Sequence, residues 1–243
     1  MFVPLLFEYL HKQGVEDPQL TQLVIANSIS LTFFSTLTSF LHRRKELKNQ
    51  WRQPVIIGLT ASLFSILSFQ FIVLQGYVNK QLMALLLLFT IVFTMVRNLI
   101  KSQGKQTGKA DLSSISRWAT VSVGAISGLF ASVSGLGGGV IVVPVLSEMF
   151  KINLRLSQTV SVLVVSISAF LLSLSNFISF KDGFEWQTAL IKTQMIVPTI
   201  MGIIIGIPIG NWLYPKISPA INKLIFVGVL TYIAYVNLRI LFV

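Results

Sequence analysis

The chain has 243 residues, of which 53% are hydrophobic and 11% charged, with a formal net charge of +11. Soluble domains carry about 25% charged residues, so a fully water-facing surface is excluded, and the mean hydropathy of +0.78 points to a polytopic membrane protein. The charge does not mark a nucleic-acid binder, because ten of the nineteen Lys and Arg fall in two short groups: Arg43, Arg44, Lys45, Lys48 and Arg52, then Arg97, Lys101, Lys105, Lys109 and Arg117.

The opening segment, residues 1–19, has no basic leader region or small-residue cleavage site, and is read as lacking a signal peptide. Apolar runs long enough to cross a bilayer core of about 30 Å then follow in order. They are Leu20–Leu41, Pro54–Gln75, Gln81–Ile100, Trp118–Phe150, Leu156–Ile178, Thr188–Trp212 and Pro219–Phe242. The expectation is therefore an all-α transmembrane bundle of about seven principal spans. Trp51, Trp118, Trp186 and Trp212 fall near span ends, where an amphipathic ring sits at headgroup level. Short basic loops mark the cytoplasmic side. This places loops 42–53 and 97–117 inside and the N-terminus outside, and simple alternation leaves the C-terminus inside. Without cysteine, disulfides, thiolate metal sites and cysteine nucleophiles are excluded.

The run from Trp118 is too long for one crossing, since thirty-three residues make about 50 Å of helix. It contains its own interruption at Gly135, Gly137, Gly138 and Gly139, followed by Pro144. The simplest expectation is one broken span, with arms Trp118–Ser134 and Val140–Phe150 and the break at 135–144.

An internal repeat organises the rest. The stretch FVPLLFEYLHK at 2–12 matches VVPVLSEMFK at 142–151, so Pro4 aligns with Pro144 and Glu8 with Glu148. LTQ at 20–22 matches LSQ at 156–158, Trp51 matches Trp186, and Lys80 matches Lys216. The expected organisation is a first, incomplete repeat at 1–100, a basic linker at 101–117 and a second repeat at 118–243. Related halves meeting near the midplane are a common way to build a transporter. An even number of crossings per unit makes the halves parallel, and a re-entrant segment would change that parity. The first unit is expected to lack its opening helix and a counterpart of the glycine run.

The segment GLFASVSGLGGGVIVVPVL at 128–146, with LSQTVSV at 156–162, resembles the TauE/SafE sulfite exporter family of four-plus-four-helix membrane permeases. The resemblance implies a secondary transporter for a small anion such as sulfite, a sulfonate or a related sulfur compound; neither a cofactor nor an enzymatic activity is expected. The competing expectation is a non-transporting membrane scaffold built on the same fold.

A glycine-rich break inside the membrane leaves backbone N–H and C=O groups that only protein or a polar cavity can satisfy. If Val140 begins the second arm, the N–H groups near Gly138 form a helix N-terminus suited to an anion. The candidate substrate contacts are Gly135, Gly137, Gly138, Gly139, Val140, Pro144, Gln158, Thr159 and Ser161. Pro4, Thr21, Gln22 and Asn27 are the candidates from the first half. Glu8 and Glu148 are the candidates for proton coupling, because intramembrane carboxylates carry function by default, although Glu148 is expected near the outer boundary. The plainer readings stand beside these. Gly124 and Gly128, Gly135 and Gly139, and Gly202, Gly206 and Gly210 have the small-xxx-small spacing of closely packed membrane helices. Single Ser and Thr hydroxyls commonly bond their own helix. No phosphate loop, zinc-ligand cluster or nucleophile triad is present. The partners expected are a small anion and the lipid bilayer.

Overall fold

The computed structural model describes residues 3, 6, 7, 19–47, 50–78, 80–100, 112, 115–135, 137–179, 193–213 and 216–242. Among them the chain is helical, with no strand. The helices are α1 (Gln19–Arg43), α2 (Arg52–Ser68), α3 (Lys80–Ile100), α4 (Arg117–Ser134), α5 (Gly139–Pro144), α6 (Leu154–Ser179), α7 (Thr193–Leu213) and α8 (Pro219–Phe242). Single π turns extend α2 over Phe69–Val73 and α5 over Val145–Met149. The second follows Pro144, which has no N–H to give the ladder and crowds the turn before it. Three helical runs, Gln22–Leu47, Arg52–Val73 and Leu154–Asn176, are long and apolar enough to cross a membrane. The all-α membrane bundle expected from composition is the fold.

Two apolar clusters define the ends of the bundle. One joins Leu23, Val24, Ile25 and Ile29 of α1 to Phe69 and Val73 after α2, Met83 and Leu87 of α3, Leu172 of α6 and Val236 of α8. The other joins Phe40 of α1 and Leu47 just after it to Ile57 of α2, Leu112, Ile115, Leu146, Ile152 and Leu156. The second lies at the end that carries Arg43, Arg44, Lys45 and Arg52, called here the basic end. α2 packs against α4 and α6, α1 against α6 and α7, and α3 against α8. Between helices in lipid the hydrophobic effect is weak, so close backbone approach decides association. α4 meets α2 through Gly124 and Gly128, where an added Cβ would overlap the Thr60 side chain and the Ala61 carbonyl. The packing role expected for that pair is what they do. Gly202, Gly206 and Gly210 of α7 have nothing within 4 Å, so the same expectation is not met there among the described residues.

The long run from Trp118 is not one interrupted crossing. α4 leaves the basic end and rises for eighteen residues, about 27 Å. It stops at Gly135, which has a left-handed φ of 66°. The chain then turns back: the Ser127 hydroxyl donates to the Gly138 carbonyl at 3.3 Å, so Gly138 lies beside the middle of α4. From Gly139 the second arm descends, and Leu146 and Ile152 share a cluster with Leu112 and Ile115 from just before α4. α4 and α5 are thus a re-entrant hairpin with both ends at the basic end.

This return reverses every later direction. α6 runs antiparallel to α1, with Arg43 beside Gln158, Phe33 beside Phe170 and Ser30 beside Ser173. The repeat equates these two helices, so the parallel relation expected from counting crossings does not hold. α8 ends beside the start of α3, where the Asn237 amide donates to the Ala84 carbonyl at 2.8 Å. The end of α8 therefore lies opposite the basic end, which corrects the expectation that it shares a side with loop 42–53. Alternation failed because the glycine run supplies a turn and no crossing.

Candidate functional site

The glycine turn lies between α1, α4 and α6. Gly137 and Gly138 have φ of 77° and 72°, a backbone region that side chains with a Cβ rarely adopt. Space is closed as well: a Cβ on Gly137 would strike Val165 of α6 and come within 3.0 Å of Thr32 of α1. On Gly138 it would overlap the Ser127 carbonyl. These glycines are present because neither the conformation nor the packing admits anything else.

Three serines donate to carbonyls of the turn. Ser28 of α1 donates to Gly135 O at 3.0 Å. Ser127 of α4 donates to Gly138 O at 3.3 Å, and Ser161 of α6 donates to Gly139 O at 3.3 Å. The other half of the requirement is different. The Ile141 N–H closes onto Gly138 O at 3.1 Å, and Gly139 and Val140 stand before it as the opening residues of the helix, whose N–H groups have no intrahelical partner. The turn thus pairs satisfied carbonyls with the positive end of the eleven-residue helical run Gly139–Met149.

Of the sequence candidates, Gly135, Gly137, Gly138, Gly139, Val140 and Ser161 meet at this turn. Pro144 lies one turn further along α5 and sets the widening behind it. Gln158 and Thr159 do not reach it. Their side chains serve the basic end, where Gln158 accepts from Arg43 at 3.3 Å and Thr159, fully buried, donates to Glu46 at 2.6 Å. The second oxygen of Glu46 takes Arg155 at 2.6 Å. Gln22 is committed too, donating to the carbonyls of Val73 and Leu74 at the end of α2. Asn27 is buried and donates to Leu23 O of its own helix at 2.8 Å. Pro4, Glu8 and the side chain of Thr21 lie outside the described residues. Glu148 is exposed and at the basic end, which corrects its expected place at the outer boundary.

Sequence reasoning missed Ser28, Thr32, Ser127 and Val165, which shape the turn, and no local signal separates them from other small residues in apolar helices. It also missed Asn176. This residue is 4% exposed, and neither its Oδ1 nor its Nδ2 has a hydrogen-bond partner. The register set by Ser30–Ser173 and Phe33–Phe170 brings it to the level of Asn27 on α1. A buried amide without partners costs about 1–3 kcal/mol, and Asn in an apolar helix at position 176 was a readable signal. Most remaining hydroxyls do bond their own helix, as Thr32, Thr36, Thr38 and Ser62 show.

Residues 1–236 match the family described as Sulfite exporter TauE/SafE. A probable membrane transporter protein of Methanocaldococcus jannaschii is 19% identical over 216 residues, which cover 88% of this chain and 76% of that protein. No solved structure matches the chain.

Proposed function

The chain belongs to the sulfite exporter TauE/SafE family, and on that premise we propose that this multi-pass membrane transporter is a secondary permease for a small sulfur oxyanion or sulfonate. The observation that carries the reading is the glycine turn, a buried break whose carbonyls are met by serines while a helix N-terminus stays available to negative charge. The turn sits between α1 and α6, the helices that the internal repeat equates and that run antiparallel. We take the two halves as inverted repeats, which favour alternating access by movement of one half against the other around a central site.

In this mechanism the N–H groups of Gly139 and Val140 hold the anion, and the glycines let it approach the backbone. Ser161 already gives its proton to Gly139 O, so it becomes a donor to the substrate only by exchanging that bond. Asn176 holds its amide in reserve for the substrate as it passes. The basic segments 42–53 and 97–117 face the cytoplasm of the cell membrane, and α1 begins and α8 ends on the outer side.

Flux of labelled sulfite into proteoliposomes tests this. Asn176→Ala should lower the initial rate about tenfold while leaving thermal stability equal or higher, because the unpartnered amide is removed. Unchanged flux would remove Asn176 from the pathway. A folded wild-type protein that moves no sulfur oxyanion would overturn the permease reading in favour of a scaffold.

A further inference from the structure

A second site lies at the basic end, away from the turn. A cleft of about 680 Å³ opens between the first turns of α2 and α4, with Ile56 and Val121 in its apolar lining. Arg52 and Arg117, the first residues of these two helices, both line it. Both arginines are exposed, and among the described residues neither has an acidic partner. The walls are fixed by polar bonds. The Leu112 N–H donates to Gln50 Oε1 at 2.8 Å, Thr120 donates to Gln53 Oε1 at 2.8 Å, and Gln53 donates to Ile115 O at 3.4 Å. The cleft is therefore built, not a gap between loose side chains.

Its depth identifies its ligand. Each arginine is next in sequence to an exposed tryptophan, Trp51 at 41% and Trp118 at 84%, and such rings settle at the headgroup level of a bilayer. Two guanidinium groups at that depth, in a cleft whose lining is also apolar at Ile56, Leu112, Ile115 and Val121, match a phosphate that carries an acyl chain. Arg forks take phosphate oxygens in pairs, and basic pockets between transmembrane helices hold anionic headgroups. We propose that this cleft binds the phosphate of an anionic phospholipid, with Arg52 and Arg117 as its two ligands. The site stands independently of the permease reading.

The test uses the full chain in detergent micelles, titrated with short-chain phosphatidylglycerol, phosphatidylcholine of the same chain length, or inorganic phosphate. Binding is read by native mass spectrometry and by the shift in melting temperature. Phosphatidylglycerol should bind and stabilise, phosphatidylcholine far less. Arg52→Gln and Arg117→Gln should each weaken binding about tenfold, since each removes a hydrogen bond to a charged group. The paired control Arg44→Gln with Lys45→Gln removes twice the charge of either single variant, but outside the cleft, and should leave binding within twofold of wild type. Equal loss in the control would show diffuse surface charge and overturn the proposal. So would equal binding of both lipids, or inorganic phosphate matching phosphatidylglycerol, which would make the site one for free oxyanions. Because the phosphate and lipid comparisons use the wild-type chain, they decide the matter even where a variant folds poorly.

Discussion

Glycine has three separate roles in this chain, and they differ in what a methyl group would meet. At Gly138 an added Cβ confronts the Ser127 carbonyl in a backbone region that only glycine enters readily. At Gly128 the backbone is ordinary helix and the obstacle is α2. At Gly206 there is no obstacle at all. Gly138→Ala should therefore cost about 2 kcal/mol or more, whereas Gly206→Ala should stay within about 0.5 kcal/mol of wild type. Thermal unfolding of both variants in the same detergent checks this, and equal losses would contradict the assignment. Sequence reading found the glycines easily because their density is rare in an apolar run. It could not find their partners, because Ser28 and Gly135 are separated by 107 positions and nothing local announces that bond.

Among the elements, the spans were legible and the directions were not. A run such as Leu156–Ile178 must be helical in lipid, where each backbone group needs an internal partner, and α6 covers Leu154–Ser179. Hydropathy weighs apolar residues without regard to the way they run, so the descending arm after Gly139 looked like the continuation of α4. The antiparallel pairing of α1 with α6 is the element-scale consequence and can be read directly. The Ser30 and Ser173 hydroxyls lie 3.2 Å apart, a spacing compatible with a disulfide between cysteines at these positions. The chain has no cysteine of its own, so Ser30→Cys with Ser173→Cys should crosslink on mild oxidation, seen as a mobility shift reversed by reductant. A parallel arrangement of these helices would leave that pair unlinked.

For the whole molecule, the hairpin decides which ends share a side of the membrane. Single cysteines at Ser116, before α4, and at Lys151, after α5, should react with a membrane-impermeant thiol reagent from one side only, and from the same side. A cysteine at exposed Tyr77, between α2 and α3, should react from the other. Opposite labelling of Ser116 and Lys151 would restore the single broken crossing. Basic segment 42–53 predicted the side of the first loop from charge alone. It said nothing about α8, whose position depends on whether 135–139 crosses or turns back.

The brevity of the returning arm has a consequence for how the protein is made. Gly139–Met149 is eleven residues, about 16 Å of helix, too short to hold a place in a bilayer core of about 30 Å by itself. Its upper end is held by Ser127 from the helix before it and by Ser161 and Val165 from the helix after it. During synthesis the second of those supports does not yet exist when the arm emerges. The upper end of the arm therefore gains its full packing only once α6 is in place. The glycine turn is then completed late in biogenesis, after the helices that enclose it, and a nascent chain arrested before α6 carries the glycines without the packing that closes the turn.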